Sequence, residues 1–142
     1  MNNLNSILNI DLRKTSISEI DEEKLLLFKS EDYYSQTNLY FYLQNQLFNH
    51  ENNPEASAYI HYLISYYLMV ILTPLCYEEL AFNHINQSLK LSRKIKYKEW
   101  ALIFATLEHP YLNNSDALTL AQDVIKENPN SNIANTILAL FY

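Results

Sequence analysis

Four histidines are the residues in this sequence whose type most readily supports catalysis or metal binding. They are His50, His61, His84 and His109, and no two of them have the spacing of an HExxH zinc site or another close ligand pair. His61 and His84 stand among apolar residues, which is typical of hydrogen-bonded histidines in a core or groove. His109 precedes Pro110 at an expected helix end, where the helix dipole favours a side chain that can be cationic. We therefore expect no metal site and no catalytic histidine.

Acidic residues and the single cysteine also predict no reaction centre. Adjacent carboxylates occur at Asp21-Glu22-Glu23, Glu31-Asp32 and Glu78-Glu79. General acid–base catalysis needs a buried carboxyl with a perturbed pKa, whereas these groups fall at expected helix starts or on solvated faces. Cys76 is the only cysteine, so an intrachain disulfide is excluded, and we expect it to be a semi-buried apolar residue. The sequence thus predicts a protein that is not an enzyme and has no cofactor.

The complete absence of glycine excludes several nucleotide and nucleophile motifs. GxGxxG turns, phosphate-binding P-loops and GxSxG elbows all need backbone conformations or close approaches that a Cβ atom obstructs. Helices joined by short loops are the simplest architecture without glycine. Asparagine tolerates the left-handed conformation best among the other residues, and we expect it to serve at the helix boundaries. The positions concerned are Asn49, Asn52, Asn53, Asn113, Asn114, Asn128 and Asn130.

The charge of the chain predicts a protein partner rather than nucleic acid. The formal net charge is -6, whereas phosphate binding depends on clustered lysine and arginine. One basic cluster exists, and the end of a helix followed by a loop explains it without RNA. An acidic surface would instead steer a basic protein partner towards the chain. The cluster consists of Lys90, Arg93, Lys94, Lys96 and Lys98.

One long uncharged stretch resembles a membrane span in length but not in composition. Residues 57–76 contain no charged side chain, and about 20 apolar residues suffice to cross a bilayer. His61 and several tyrosines place polar atoms inside the stretch, and Pro74 ends it early. A central helix buried on most sides explains it better. Because Met1–Leu12 also lacks the pattern of a signal peptide, we expect no membrane association and a cytoplasmic protein.

The elements that would position these residues are all predicted to be helices. Apolar spacings of three and four residues predict one all-α domain over residues 1–142. Residues 1–15 are either a short helix or a flexible extended arm. Residues 16–50 hold the first two helices, 55–95 a helix pair, 97–129 a second pair and 131–142 a terminal helix. The expected helices cover residues 16–29, 32–49, 55–72, 77–94, 97–108, 116–127 and 131–142.

Residues 97–129 resemble a tetratricopeptide repeat. The segment spans 33 residues, close to the repeat length of about 34. Trp100 takes the tryptophan position of the first helix, Ala117 and Ala121 are the small residues of the second, and Pro129 closes the repeat. Phe104 stands where the family prefers glycine, and we expect its bulk to force the two helices apart. Ile103 takes a leucine position, Leu107 replaces a tyrosine, and residues 58–95 fit the pattern more loosely.

This resemblance implies a fold and a mode of action. A tetratricopeptide-like right-handed superhelix would bind a peptide or protein segment on its concave face. A compact array of about six or seven helices in antiparallel pairs is the alternative. Twelve tyrosines are typical of an interface, because tyrosine combines contact area with a polar tip. We predict a tyrosine-rich binding groove between the second and third helices, formed by Tyr40, Tyr59, Tyr62, Tyr66 and Tyr67.

The terminal helix carries an apolar face that must be covered. Either it folds back on the preceding pair or a second copy of the chain covers it, giving a homodimer or larger oligomer. The residues predicted for self-association are Leu138, Phe141 and Tyr142. Solenoids usually finish with a polar capping helix, and this sequence does not.

Three functions follow from these observations. The first is an adaptor or chaperone-like helical repeat that binds a protein. The second is an immunity or inhibitor protein that neutralises a basic partner by occlusion. The third is an oligomeric structural or regulatory subunit. The abundance of Asn, Ile, Lys and Tyr indicates an AT-rich, bacterial genome.

Overall fold

All regular structure in the described residues is helical. A computed structural model describes residues 2–141, so Tyr142 lies outside the described residues, and no strand occurs within that range. The all-α prediction is confirmed, with more helices than expected because two short ones precede the long ones. The helices are α1 (Asn2–Leu8), α2 (Glu22–Leu26), α3 (Tyr33–Asn49), α4 (Pro54–Tyr67), α5 (Tyr77–Leu91), α6 (Ile95–Leu102), α7 (Asn114–Glu127) and α8 (Asn132–Phe141).

Helix α4 is the buried centre of an antiparallel array. It packs against α5 on one side and α3 on another, and eight of its side chains are buried. A π-helical turn, Leu68–Leu72, continues it, and the left-handed Thr73 ends it. The uncharged stretch is therefore a buried central helix, as predicted. No helix in the described range is long and apolar enough to cross a membrane.

The N-terminal residues form a helix that belongs to the core. Leu4, Leu8 and Leu12 are all buried. The side chain of Asn5 accepts a hydrogen bond from the backbone of Leu12 at 3.0 Å, which holds the turn after α1. Of the two alternatives for residues 1–15, the structure shows the short helix packed on the core rather than an arm.

The helix predicted over residues 16–29 is divided into two. Ser16 caps a 3-10 turn over Ile17–Glu19 through a reciprocal capping box. Ile20 then takes an extended conformation with its side chain fully buried, and Asp21 caps α2. Insertion of Ile20 into the core outweighs continuation of the helix at this point.

Asparagines act at the helix boundaries through their side chains rather than through left-handed backbone. Asn53 caps α4 and Asn113 caps α7, each by accepting a backbone hydrogen bond, and both have negative φ. The non-glycine residues with positive φ in the described range are Asn9, Thr73 and Cys76. None of the seven asparagines expected at helix boundaries is left-handed. At Asn53 and Asn113 the acceptor oxygen of the side chain satisfies free amides of the first turn instead.

Phe104 does not hold α6 and α7 apart as expected. The α-helix ends at Leu102 and passes into a 3-10 turn, Ile103–Ala105. Phe104 is buried there and packs on Phe82 of α5, with ring centroids 5.4 Å apart. The small residues Ala117 and Ala121 stay buried in contact with α6. The early end of α6 therefore gives Phe104 a place against α5.

The terminal helix folds back on its own chain. Ala134 and Ile137 of α8 are buried in a cluster with residues of α6 and α7. Leu138 and Phe141 are half-buried against the same cluster, while Leu140 is 63% exposed. Of the two ways of covering the apolar face of α8, the structure shows the first: the preceding helix pair covers most of it, and a second copy of the chain is not needed for that.

Candidate protein-binding surface

Two of the tyrosines predicted for the binding groove belong to the core. Tyr67 is buried, and its hydroxyl donates a hydrogen bond to the carbonyl of Gln36 at 2.7 Å. Tyr62 is also buried, and its hydroxyl donates to a carboxylate oxygen of Glu22 at 3.3 Å. Burial raises the pKa of both phenols well above the usual range. Neither side chain is accessible on the surface.

Tyr59 and Tyr66 are half-buried parts of an aromatic layer between α4 and α6. Tyr66 packs on Trp100 with ring centroids 5.4 Å apart, and Trp100 donates its indole N–H to Ser65 at 2.8 Å. The Tyr59 hydroxyl donates to the carbonyl of Ile20, and burial raises its pKa to about 12. Tyr59, Tyr62 and Tyr66 therefore join α6 and the segment from Ile20 to Glu22 to α4, while Tyr67 joins α4 to α3 inside the core.

Helix α3 carries the exposed aromatic side chains that the tyrosine analysis missed. Tyr34 is 71% exposed, Phe41 is 62% exposed and Phe48 is 76% exposed. They stand seven residues apart, close to two helical turns, and so lie on one face. Asn38 and Asn45 occupy the positions between them. We call these five residues the α3 outer face: Tyr34, Asn38, Phe41, Asn45 and Phe48.

The opposite side of α3 anchors the helix in the core. Ser35, Leu39 and Leu43 are buried, and their series lies roughly 160° around the helix from the aromatic one. Both series are visible in the sequence. Because Phe48 directly follows Leu47, apolar spacing alone does not show which of the two series faces the core. The signal that could identify the exposed series is the presence of two apolar series on one helix, about half a turn apart.

The α3 outer face is uncharged in an acidic chain. From Tyr33 to Asn49 no side chain is charged, whereas the whole chain has a net charge of -6. A shallow groove of about 410 Å³ separates this face from α1. Its lining residues are Asn3, Leu4, Tyr34, Asn38, Tyr42 and Asn45. The surface can therefore take an apolar partner without leaving a buried charge unpaired.

A polar chain behind α3 links it to α4 and α5. Tyr40, the predicted site residue on α3, is half-buried and receives a hydrogen bond from the Gln44 amide at 3.1 Å. Gln44 also lies 3.4 Å from His84 of α5, whose Nδ1 is 2.9 Å from Nδ1 of His61 on α4. No group of three or more metal-ligating side chains includes this pair among residues 2–141. The two imidazoles join the helices as a hydrogen-bonded pair.

Four of the five residues of the basic cluster are engaged in ion pairs. Lys98 is buried and contacts Asp123 at 2.8 Å, a hydrogen bond that raises the pKa of the lysine. Lys96 lies 2.8 Å from Glu22 and 5.0 Å from the centre of the Tyr62 ring. Lys94 and Arg93 pair with Glu55 and Asp123 respectively. These cations stabilise contacts between helices rather than forming a free basic patch.

A second exposed surface is acidic and lies at the start of α5. Tyr111 packs on Phe82 at 5.7 Å, and partial desolvation together with Glu78 and Glu79 raises the pKa of its hydroxyl. Leu75, in the preceding loop, is 92% exposed. Cys76 is exposed as well, so the expected semi-buried position was wrong: its left-handed backbone turns the chain into α5 at the surface.

The chain matches no protein-family model, no curated protein and no solved structure in the comparisons made. The candidate surfaces therefore depend on the geometry of this chain alone.

Proposed function

We propose that this chain is a non-enzymatic protein–protein interaction module of the cytoplasm. It binds a helical segment of a partner protein on the α3 outer face, in the manner of an adaptor or chaperone-like helical repeat. The observation that carries this proposal is the exposure of Tyr34, Phe41 and Phe48, between 62% and 76%, along one face of a single helix.

Exposed aromatics at helical spacing have a clear physical use in binding. Large aromatic side chains dominate the energetics of interfaces because they lose much apolar surface and few rotamers on contact. Helix α3 is held rigid by its buried opposite side, so little further ordering is needed on binding. Since the face is uncharged, the matching partner is a helix with apolar side chains at steps of three, four and seven residues.

The acidic surface favours a second candidate function. Glu78 and Glu79 lie beside the exposed Tyr111 and Leu75, a combination of charge and apolar contact area. An immunity or inhibitor protein would use such a surface to steer and cover a basic partner. In that case the α5 surface, and not α3, would carry the binding free energy.

A capture experiment with paired variants tests the two candidates. Tagged wild-type chain, the double variant Phe41→Asp/Phe48→Asp and the double variant Glu78→Lys/Glu79→Lys are used with host extract. Bound proteins are then identified by mass spectrometry. We expect the α3 variant to capture at least ten-fold less of the partner than the wild type, and the α5 variant to capture the same amount as the wild type. The variant Glu51→Lys, at an exposed position outside both surfaces, shows the effect of reversing one acidic charge elsewhere on the chain.

The salt dependence of the captured complex gives an independent result. Binding to an uncharged face changes little between low and high ionic strength, whereas a steered basic partner associates more slowly as salt rises. Loss of binding in the α5 variant, together with a steep salt dependence, would contradict the adaptor function and support the inhibitor function. Retention of the partner by both double variants would contradict both.

A further inference from the structure

We propose that the occupant of the α3 outer face is α3 of a second copy of this chain, packed antiparallel about a two-fold axis through Phe41. This inference rests on the proposed function only in taking α3 as the contact surface. It identifies the partner helix, and it places the dimer interface on α3 rather than on the terminal helix.

The α3 outer face is complementary to itself. Tyr34 and Phe48 stand seven residues on either side of Phe41. An antiparallel pair centred on Phe41 therefore brings Phe41 against Phe41 and Tyr34 against Phe48. A two-fold axis requires this kind of self-matching, because each contact must occur twice with the roles exchanged.

The polar positions match as well. Asn38 precedes Phe41 by three residues and Asn45 follows it by four. In the antiparallel pair, Asn38 of one copy and Asn45 of the other are therefore offset by only about 1.5 Å along the helix axis. An asparagine amide both donates and accepts hydrogen bonds, and two of them can satisfy each other. Polar pairs between the aromatic layers would fix the register of the two helices, as a buried asparagine does in coiled coils.

Charge restricts where two copies of this chain can meet. Each copy has a net charge of -6, so most pairs of surface patches would bring like charges together. The α3 outer face avoids this cost, because no charged residue occurs between Tyr33 and Asn49. The acidic α5 surface would repel its own copy. Self-association therefore favours α3, and added salt should strengthen it by screening the remaining repulsion.

The available area is sufficient for a modest dimer. With aromatic side chains of about 200 Å² each and exposures of 62% to 76%, the three rings of the α3 outer face expose about 400 Å² per copy. Two copies would bury about 800 Å² from these rings alone, and flanking side chains bring the total near the lower limit of about 1,200 Å² for specific interfaces. An interface of this size is typical of a weak dimer that forms as the concentration rises.

Charge exchange at Phe41 tests the two-fold arrangement directly. Wild-type chain is measured by light scattering and sedimentation from low micromolar to millimolar concentration, and we expect its mass to rise from 16.7 kDa to twice that value. The variants Phe41→Lys and Phe41→Glu should each remain monomeric, because the axis places like charges together. An equimolar mixture of the two should recover the doubled mass. Circular dichroism and thermal melting establish that each variant is folded.

Two control variants separate this interface from other surfaces. Leu75→Glu changes an exposed leucine in the loop before α5, and Leu140→Glu changes the exposed leucine of the terminal helix. Both should dimerise like wild type. A dimer that Leu140→Glu abolishes and Phe41→Glu leaves intact would overturn the α3 arrangement in favour of the terminal helix.

The outcomes also separate this inference from the proposed function. If the wild-type chain stays monomeric at every concentration, the proposal that a second copy occupies the α3 outer face is wrong. If Phe41→Asp/Phe48→Asp then loses a captured helical protein, the proposed binding function stands with a different partner. If neither self-association nor capture depends on α3, both proposals are wrong.

Discussion

The paired histidines between α4 and α5 are held in their neutral form by their surroundings. Burial, reinforced by the nearby His61, lowers the pKa of His84 to about 4, and burial lowers the pKa of His61 as well. With Nδ1 atoms 2.9 Å apart, one ring must donate and the other accept. Protonation of both would remove the acceptor and place two positive charges in contact. These residues therefore act as a neutral structural link, as expected for histidines on apolar faces.

This environment predicts a pH dependence of stability. The pKa of His84 is lower in the folded state than in the unfolded state, where it is near 6.5, so the unfolded state binds the proton first as the pH falls. The free energy of unfolding is therefore highest above pH 6.5 and decreases as the pH falls towards 4. At roughly 1.4 kcal/mol per pKa unit, a shift from 6.5 to about 4 corresponds to a loss of about 3 to 4 kcal/mol. The variant His84→Gln should flatten the dependence of the free energy of unfolding on pH in this window, measured by urea denaturation.

The control for that prediction is His109→Gln, at an exposed position, which should keep the wild-type pH dependence. The carboxyls of Asp32 and Asp123 have lowered pKa values. Their stabilising contribution is lost at a more acidic pH than the histidine window. Identical slopes in wild type and His84→Gln between pH 6.5 and 4 would contradict the buried neutral pair.

At the scale of the elements, three of the long helices begin where a side-chain acceptor meets the free amides of a first turn. Asp32 caps α3, Asn53 caps α4 and Asn113 caps α7. Pro54 follows Asn53 at the first position of α4, where its missing N–H costs nothing. Acceptor oxygens thus start these three helices, whereas α5 starts from the left-handed backbone of Cys76 and has no side-chain cap.

The cap of α4 gives a test that separates this role from left-handed turn chemistry. Asn53 has φ of -122° and accepts a hydrogen bond from the backbone N–H of Ala56 at 3.2 Å. Asn53→Asp should therefore keep wild-type stability, and Asn53→Ala should cost about 1 kcal/mol. Thermal or urea denaturation measures both. A stabilising Asn53→Gly would indicate instead that the backbone conformation is the limiting feature.

At the scale of the whole molecule, two buried clusters share their boundary. The larger is built from α1 to α6 and the smaller from α6, α7 and α8, and Leu112 and Leu120 pack against both. The ion pairs of Lys98 with Asp123 and Glu127 cross from α6 to α7. Helix α6 therefore connects the C-terminal pair to the rest of the fold.

The N-terminal helix completes the larger cluster, and its removal should be costly. Leu8 is almost fully buried, so Leu8→Ala should lower the free energy of unfolding by about 2 to 5 kcal/mol through lost burial and the cavity left behind. Ser6→Ala, at an exposed position on the same helix, should have little effect. Equal stabilities for the two variants would mean that residues 1–15 are an arm after all.

The sequence by itself determined the helical class, the buried uncharged helix and most of the long helices, because these depend on local features. Apolar periodicity, prolines and the absence of glycine act within a few residues and are readable without partners. Which aromatic side chains are exposed was decided only by the tertiary structure. Tyr62 and Tyr67 on α4 face other helices, whereas Phe41 and Phe48 on α3 face solvent. All four belong to similar apolar patterns, and what separates them is the number of neighbours packed around each helix, which periodicity does not encode.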